Sequence, residues 1–317
     1  MPAAHPSSVS ENALLALGYA LRDADYHFTT VTPGTHARVN QRPENAEAQC
    51  LADVFGWSRP FRSGVLPFPM LDIMEQAGVL IRDNGYCRSL VRVSSLNGEL
   101  FFHSAFPTTA ANSVFFGPDT YRFAAAILRV LRERDRPIHR AVDIGCGAGP
   151  GGIVAAKILT GAEVSMVDIN EAALRLARVN VQLAGVTNIE VRRSDLLTSL
   201  EGSFDLMVAN PPYLVDPAQR AYRHGGGPLG AGLSLAILDT ALERLSPGGT
   251  LVLYTGAAVV SGADPFRAAA ADRLSQSGAR WAYREMDPDV FGEELGAEAY
   301  RHADRIAAVV LTVERER

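Results

Sequence analysis

The residues best suited to bind a ligand form a glycine-rich loop, VDIGCGAGPGG, at positions 142–152. Glycines let the backbone turn tightly and approach a ligand without a Cβ in the way. The loop departs from the dinucleotide-binding pattern, because Pro150 stands at the place of the third glycine and Asp143 before the loop would repel a pyrophosphate. The pattern favours a ligand that carries an ammonium group and no phosphate, and S-adenosylmethionine meets that description. The loop residues expected to contact it are Gly145, Cys146, Gly147 and Gly149.

Two more acidic residues end the next two predicted strands. Asp168 lies 25 residues after Asp143, close to the spacing at which a strand-end carboxylate accepts hydrogen bonds from both ribose hydroxyls. Asp195 follows the third strand, where it can accept from an adenine amino group. A lone aspartate is explained equally well as a helix N-cap, whereas three at successive strand ends beside a glycine loop favour a nucleoside site. Ile169 and Leu196 are expected at the same site.

The tetrapeptide Asn210-Pro211-Pro212-Tyr213 follows the fourth predicted strand. An amide or an exocyclic amine is a poor nucleophile because its lone pair is delocalised. The Asn210 side-chain carbonyl and a proline carbonyl can each accept one N–H of such a group, which aims the lone pair at a methyl donor and stabilises the growing positive charge. Proline suits this role because its φ is fixed, and Tyr213 can stack on a planar acceptor. We expect all four residues to be catalytic and Asn210 also to contact the cofactor; the alternative is that the prolines only end the strand.

These motifs belong to an alternation of strands and helices that begins near residue 120. The predicted strands are residues 141–144, 163–168, 189–193, 204–209, 250–254, 281–286 and 306–313. The predicted helices are residues 121–134, 152–159, 171–183, 233–245 and 265–277. This alternation predicts an α/β, Rossmann-like fold with a mostly parallel sheet of seven strands covered on both faces. Such sheets bind ligands at the carboxyl ends of their strands, where all the motifs above lie.

The first 120 residues have a different pattern. Ser8 and Glu11 form a capping-box pair that opens a helix to about residue 22. Further helices are predicted over residues 43–55 and 69–77, and short β-runs over residues 80–82, 87–94 and 99–103. The Asn-Gly pairs at residues 84–85 and 97–98 are strong hairpin signals. We therefore expect a small helical domain that carries a β-hairpin wing.

From about residue 120 the chain resembles a class I S-adenosylmethionine-dependent methyltransferase. Its Asn-Pro-Pro-Tyr motif resembles the signature of members that methylate a planar nitrogen, which include the release-factor glutamine N5-methyltransferases and the adenine N6-methyltransferases. The segment VFFGPDT at residues 114–120 is similar to the Pro-Arg-Pro-Asp-Thr-Glu segment of the release-factor glutamine methyltransferases of the HemK/PrmC type. That segment helps to cover the cofactor and substrate pocket, which places Thr120 at the cofactor. Gly117 and Tyr121 depart from it, because they replace its arginine and its final glutamate.

The resemblance implies two domains and an activity. Residues 1–120 would recognise the substrate, and residues 121–317 would form the methyltransferase domain. The implied reaction is S-adenosylmethionine-dependent methylation of a planar NH2 group, most simply a glutamine side chain of a protein such as a release factor. The first alternative is a nucleic-acid base, adenine N6 or guanine N2 in RNA or DNA. A small-molecule or peptide amine, and a non-enzymatic scaffold that holds the cofactor, also remain open.

The charge and amino-acid composition argue against a nucleic-acid substrate, a metal site and a membrane segment. The 317 residues carry a net charge of -5, and residues 1–140 carry 14 basic and 13 acidic side chains, which is far from the balance of a dedicated nucleic-acid binder. Three widely spaced cysteines indicate a reducing compartment, and the seven histidines lack metal-ligand spacing, so we expect no metal. The first residues lack the basic start of a signal peptide, and no uncharged stretch exceeds 19 residues. We expect a soluble, cytoplasmic protein that does not bind a membrane.

Overall fold

A computed structural model describes residues 10–316. The contacts within it divide the chain into two units. Unit 1 holds the described residues up to Thr109, with Ser113–Pro118 and Arg175–Thr187. Unit 2 holds Ala110–Asn112, Asp119–Leu174 and the described residues from Asn188 onward. The two units therefore alternate along the chain, and the domain division expected at residue 120 stays a prediction.

Helices form the first half of unit 1. They are α1 (Glu11–Asp23), α2 (Pro33–Asn40), α3 (Leu51–Phe55) and α4 (Phe68–Gln76). The hydroxyl of Ser10 caps α1 by accepting a hydrogen bond from the Ala13 N–H at 3.2 Å. The predicted capping residue, Ser8, lies outside the described residues. Helices α1 and α4 are confirmed close to their predicted bounds, because apolar residues at helical spacing line the buried face of each.

The helix predicted over residues 43–55 is wrong. The structure has a short 3-10 turn at Pro43–Asn45, and α3 begins only at Leu51. Between these elements the Ala48 N–H donates to the Pro60 carbonyl at 2.8 Å. A continuous helix needs that N–H for the carbonyl four residues earlier, so the contact with a later segment replaces the helical bond.

Helix α2 lies in a polar stretch for which no helix was predicted. Its first residue is Pro33, whose missing N–H is harmless at that position. The hydroxyl of Thr32 accepts a hydrogen bond from the Thr35 N–H at 3.2 Å and so caps the helix. The pair Thr32-Pro33 is a recognisable helix start, and it was the signal that the sequence analysis missed.

Two antiparallel hairpins complete the strands of unit 1. They are formed by β1 (Leu80–Asp83) with β2 (Tyr86–Ser89), and by β3 (Val91–Leu96) with β4 (Glu99–Ser104). Both predicted Asn-Gly turns are confirmed, because residues 84–85 and 97–98 all have positive φ, as a two-residue type I′ turn requires. The single run predicted at residues 87–94 is two strands, separated by Leu90, whose N–H donates to the Val79 carbonyl at 2.8 Å. The predicted wing is therefore a pair of hairpins.

Two histidines among the described residues of unit 1 are completely buried. The ring of His36 stacks on Phe106 with a centroid distance of 4.0 Å, and its Nε2 lies 2.8 Å from the Trp57 carbonyl. His103 is 0% exposed, as is His36. Burial lowers the pKa of His36 to about 4 and that of His103 well below its usual value, and the positive charge of Arg92 acts in the same direction. Both imidazoles are therefore neutral at pH 7.

Unit 2 is built on one seven-stranded sheet. Its strands are β5 (Arg140–Ile144), β6 (Glu163–Asp168), β7 (Ile189–Arg193), β8 (Phe204–Ala209), β9 (Leu245–Val259), β10 (Arg280–Asp287) and β11 (Arg305–Glu314). The helices from this part of the chain are α5 (Pro118–Glu133), α6 (Pro150–Ile158), α7 (Glu171–Ala184), α8 (Gly232–Arg244) and α9 (Pro265–Ser275). The strand order is β10-β11-β9-β8-β5-β6-β7, and β11 alone runs against its neighbours. The predicted fold class is confirmed.

The core of unit 2 follows from strands that are apolar on both faces. Four of the five residues of β5 are buried, as are five of the six residues of β8. Helices α8 and α9 contribute Ile237, Leu238 and Phe266 to a cluster that includes residues of both strands. Burial of one such side chain stabilises the folded state by about 1.5–3 kcal/mol. The packing of the sheet against these helices therefore holds the strand ends rigidly.

Strand β9 is much longer than predicted. The expected strand covered residues 250–254, whereas the observed strand is Leu245–Val259. Gly256, Ala257 and Ala258 are weak β formers, yet β11 pairs with β9 from Thr250 to Val259. The hydrogen bonds of that ladder extend the strand beyond its β-branched residues.

The described residues lack a membrane-spanning helix and a metal-binding cluster. The longest helix within residues 10–316 is α5 with 16 residues, and none of these helices could cross a membrane. No cluster of three or more His, Cys, Asp or Glu side chains in that range is placed to hold a metal ion. The cysteines are free thiols, Cys50 being exposed while Cys87 and Cys146 are buried.

Burial of His36 makes stability depend on pH. The pKa of His36 is about 4 in the folded protein, against about 6.5 in an unfolded chain. Between these values the unfolded state binds more protons, so stability falls as the pH drops, by about 2 kcal/mol at pH 5. We expect the melting temperature of His36→Phe to fall less than that of the wild type between pH 7.5 and 5. Phenylalanine keeps the aromatic contact, and Asn40 still donates to the Trp57 carbonyl at 2.8 Å.

The control for this comparison is His27→Phe, which removes an exposed histidine from the same unit. It should lose as much thermal stability on acidification as the wild type, because its side chain is in water in both states. Identical pH profiles for His36→Phe and the wild type would show that burial of His36 does not govern acid stability.

Candidate active site

The carboxyl ends of three neighbouring strands bring the predicted motifs together. In the sheet, β5 pairs with β6 on one side and with β8 on the other, and both ladders reach Ile144. Gly145, Asp168 and Asn210 therefore stand at the same edge of the sheet, each at the end of its strand. This edge is where ligands bind doubly wound sheets.

Gly145, Gly147 and Gly149 of the loop have two different functions. Gly145 and Gly147 have φ values of 67° and 54°. Apart from their chain neighbours, no atom of the described residues lies within 4 Å of the position that a Cβ would take on either of them. Gly149 has a φ of 89°, but a Cβ there would lie 2.5 Å from the Cε of Met166. The first two glycines thus leave open space beside the loop, whereas the third lets α6 pack closely on β6.

The Asp143 carboxylate lies beneath the loop. It is 1% exposed and accepts a hydrogen bond from the Gly152 N–H at 2.7 Å, in the first turn of α6. Asp143 thus accepts from the start of α6, as in the N-cap alternative that the sequence offered. Its contact with the cofactor stays a prediction. Burial raises its pKa to about 7, and the negative charge of Asp168 adds to the shift.

The Asp168 carboxylate connects the end of β6 to the loop. Its Oδ2 accepts from the Gly147 N–H and its Oδ1 from the Asn170 N–H, both at 2.9 Å. Burial raises its pKa, although the side chain is not fully enclosed. The Ile169 N–H also interacts with the carboxylate, and a carboxylate with about four acceptor positions can still accept a further donor. Next to it the Ile169 side chain is 52% exposed and offers an apolar surface at the sheet edge.

The third predicted aspartate lies one strand further out. The Ser194 N–H donates to the Asp168 carbonyl at 3.1 Å, which holds the end of β7 beside the end of β6. Asp195 is exposed, and the half-buried Leu196 has a φ of 48°. The Asp195 side chain lies at the same edge, and no side chain or N–H group within residues 10–316 forms a hydrogen bond or ion pair with it.

Two further predicted contact residues are buried. The Cys146 N–H donates to the Val167 carbonyl at 2.9 Å, which fixes the loop on the end of β6. Burial raises the pKa of the Cys146 thiol well above its usual value, so the thiol stays protonated and is not a nucleophile. Thr120 is 3% exposed at the start of α5, and its contact with the cofactor stays a prediction.

The Asn-Pro-Pro-Tyr segment begins with a half-buried Asn210 and ends with a buried tyrosine. The Tyr213 ring is 7% exposed, meets Phe291 edge-on at 5.9 Å, and lies where a Cβ on Gly256 would overlap it. The ring is thus a packing anchor for the segment, a role that the sequence analysis missed. Its expected stacking on a substrate stays a prediction, as do the catalytic roles of Asn210 and the two prolines.

Backbone glycines enclose the same segment. A Cβ on Gly225 would overlap the Gly230 carbonyl and lie 2.7 Å from the Pro212 carbonyl oxygen. A Cβ on Gly230 would overlap the carbonyl of Tyr213. The loop after the motif therefore packs directly on its backbone, and only glycine permits that approach.

Asp119 is the site residue that sequence reasoning missed. Its carboxylate is 3% exposed and accepts hydrogen bonds from the hydroxyls of Tyr213 and Tyr254, each at 2.6 Å. Arg122 lies 3.2 Å from it on the next turn of α5. The available signal was an acidic residue directly after Pro118 at a helix start, but its tyrosine partners are far away in sequence.

Known proteins share this sequence pattern. The family described as Methyltransferase small domain matches residues 110–259. The release factor glutamine methyltransferase of Deinococcus radiodurans is 31% identical over 223 residues, which are 67% of this chain and 75% of that protein. The ribosomal protein uL3 glutamine methyltransferase of Neisseria gonorrhoeae is 33% identical over 140 residues, 41% of this chain and 47% of that protein. The chain thus spans about half the length of the uL3 enzyme it matches.

Among solved structures, a SAM-dependent methyltransferase of Agrobacterium tumefaciens is 20% identical, with a TM-score of 0.48 over 78% of this chain and 80% of that one. The family assignment depends instead on the Deinococcus relative, three quarters of which this chain covers. The predicted resemblance is confirmed. The chain belongs to the class I S-adenosylmethionine-dependent methyltransferases of the HemK/PrmC type, and S-adenosylmethionine is its cofactor.

Proposed function

We propose that the protein transfers a methyl group from S-adenosylmethionine to the side-chain nitrogen of a glutamine in another protein. The observation that carries this proposal is the position of Asn210, at the end of β8 beside the glycine loop at the end of β5. Relatives named for glutamine methylation of release factors and of uL3 support the acceptor. No feature of the described residues favours a nucleic-acid base over a protein.

The residues at the sheet edge fit the cofactor. Gly145 and Gly147 leave the loop surface open, and the remaining acceptor capacity of Asp168 suits a hydroxyl donor. The charges of Asp143 and Asp168 oppose a phosphate and favour an ammonium group. S-adenosylmethionine supplies a methyl group on a sulfonium centre when it is bound.

The acceptor amide needs help because its nitrogen lone pair is delocalised. The Asn210 carbonyl and a proline carbonyl of the motif accept its two N–H groups, which turns the lone pair toward the methyl carbon. With S-adenosylmethionine bound, these carbonyls would hold the nitrogen ready to take the methyl group. The cofactor would be released as its thioether, and one amide proton would pass to water. Hydrogen-bond acceptors fixed in advance stabilise the positive charge that develops on nitrogen, and alignment of the reacting atoms supplies much of the rate.

Removal of the Asp168 carboxylate should weaken cofactor binding. The variant Asp168→Ala loses the acceptor for the ribose hydroxyls and the bond that orders Gly147. Hydrogen bonds to a charged group contribute about 1.5–3 kcal/mol, so we expect a dissociation constant at least about tenfold higher in isothermal titration calorimetry. The control Asp272→Ala changes an acidic residue on α9 and should bind normally. Unchanged affinity in Asp168→Ala would exclude the proposed cofactor contact.

Cofactor affinity should also depend on pH through Asp143. Its pKa is about 7 in the free protein, and an ammonium ligand favours the charged carboxylate. Binding must therefore expel a proton below pH 7, which lowers the affinity by up to about tenfold per pH unit. Calorimetry between pH 7 and 5.5 should show this loss in the wild type and a smaller one in Asp143→Asn, whose amide oxygen can still accept from Gly152. Equal slopes for both proteins would contradict the proposed charge interaction.

Removal of the Asn210 amide should slow methyl transfer without weakening cofactor binding. We expect Asn210→Ala to bind S-adenosylmethionine normally and to lose about 100-fold to 1,000-fold in methyl transfer, since it removes one preorganised acceptor. Asn188→Ala is the control, because the Asn188 side chain donates to the carbonyls of Leu159 and Ala162 rather than to residues of the candidate site. An active Asn210→Ala enzyme would refute the mechanism.

The acceptor itself is identified by tritiated-methyl transfer to total protein and total RNA of the source cell, followed by mass spectrometry. The proposal predicts label in protein, on glutamine. Label in RNA alone, or binding to RNA that falls steeply with salt, would favour the base-methyltransferase alternative.

A further inference from the structure

A buried carboxylate joins the catalytic segment to the rest of unit 2. Asp119 lies in the first turn of α5 and is 3% exposed. Its Oδ2 accepts from the Tyr213 hydroxyl and its Oδ1 from the Tyr254 hydroxyl, both at 2.6 Å. Tyr213 is the last residue of the Asn-Pro-Pro-Tyr segment, whereas Tyr254 belongs to β9, so one side chain holds two elements that are remote in sequence.

These hydrogen bonds are of the strong kind. O–H donors to a carboxylate at 2.5–2.7 Å are charge-assisted, and burial increases the electrostatic attraction. Burial and the Asp119 charge raise the pKa of Tyr213 and of Tyr254, so both hydroxyls keep the proton that they donate. A buried carboxylate that loses such donors is left poorly solvated, which makes the arrangement costly to break.

Arg122 forms ion pairs with the Asp119 carboxylate and with strand β10. Its guanidinium lies 3.2 Å from Asp119 and 2.5 Å from Asp287 at the end of β10. The positive end of the α5 dipole also favours an acidic residue at this position. The carboxylate is thus held by a helix terminus, an arginine and two tyrosines, and it has little freedom to move.

We propose that Asp119 is a positioning residue that fixes the Asn210 amide in its productive orientation by holding the Tyr213 hydroxyl. The inference rests on the proposed function of Asn210. Only Pro211 and Pro212 separate the two residues, and the φ angles of both are locked by their rings. An anchored Tyr213 therefore leaves few backbone rotations through which Asn210 could change direction.

The packing around Tyr213 restricts the ring, and the hydrogen bond of its hydroxyl to Asp119 fixes the remaining freedom of the side chain. Gly256 gives the ring its space, and the Gly230 backbone lies against the Tyr213 carbonyl. These contacts limit translation of the residue, whereas the bond to Asp119 fixes the end of its side chain. Misplacement of a reacting group by about 1 Å can lower a rate by about 100-fold, so a modest loss of anchoring is measurable.

The two tyrosines provide an internal comparison. Tyr213→Phe and Tyr254→Phe each remove one hydroxyl, at the same distance from the same carboxylate, and each keeps its ring. Only Tyr213 belongs to the catalytic segment. If Asp119 served stability alone, both variants would keep wild-type exchange in the segment and wild-type kcat. If Asp119 positions Asn210, only Tyr213→Phe changes the exchange and the rate.

The experiment compares Tyr213→Phe, Tyr254→Phe, Asp119→Asn and the double variant Asp119→Asn with Tyr213→Phe. The measurements are the melting temperature, the dissociation constant of S-adenosylmethionine, amide hydrogen exchange of residues 210–216, and kcat and KM. The acceptors are recombinant release factor and recombinant ribosomal protein uL3.

We expect Tyr213→Phe to exchange faster over residues 210–216 and to lose about tenfold in kcat, with unchanged cofactor affinity. Tyr254→Phe should lose similar thermal stability, keep wild-type exchange in that segment and retain kcat within about twofold. Asp119→Asn keeps one acceptor oxygen for two hydroxyls, so it should lower kcat by no more than Tyr213→Phe does. The double variant should be no slower than Tyr213→Phe, because the contact between Asp119 and Tyr213 is already lost there.

Equal exchange and equal kcat in the two phenylalanine variants would overturn the proposal, and so would additive effects in the double variant. If Asp119→Asn does not fold, the two phenylalanine variants still decide the matter. A wild-type enzyme that methylates neither acceptor would contradict the proposed function, while the exchange data would still show whether Asp119 orders the segment.

Discussion

The pairing of β5 with β6 on one side and β8 on the other is the constraint on which the candidate site depends. Parallel strands bring their carboxyl ends to one edge, so a loop, a carboxylate and an amide from three separate stretches of chain become neighbours there. The ladders end together at Ile144, which sets Gly145, Asp168 and Asn210 at one level. Burial of nearly every residue of β5 and β8 makes a shift of this register expensive.

Acidic side chains under and around this edge are held by donors from the protein itself. Asp143 accepts from the first turn of α6, Asp168 from two backbone N–H groups, and Asp119 from two tyrosine hydroxyls. Each bond offsets part of the cost of burying a carboxylate, and together these groups give the edge a negative field. That field suits a cofactor with an ammonium group. The same residues that order the loops thus carry the charges on which the proposed ammonium contact depends.

The sequence allowed prediction of features that depend on local chemistry. The glycine loop, the strand-end acids and the alternating elements were identifiable because positive φ, capping and periodicity are properties of short stretches. The role of Asp119 was not predictable, since its partner Tyr254 is 135 residues away. The true length of β9 depends on β11, and the helix expected over residues 43–55 is broken by the bond from Ala48 to Pro60. In each of these cases a long-range contact overrides the local preference.

In the proposed reaction, chemistry and substrate choice are separate problems. Asn210 and a proline carbonyl recognise the two N–H groups of a planar amide, and every glutamine side chain presents that same pattern. The catalytic segment therefore cannot tell one protein from another, however rigidly Asp119 and the packed glycines hold it. Discrimination among acceptor proteins must come from surfaces that contact residues flanking the glutamine. Under this proposal, rigidity at the sheet edge sets the rate of methyl transfer, and contacts away from that edge decide which protein receives the methyl group.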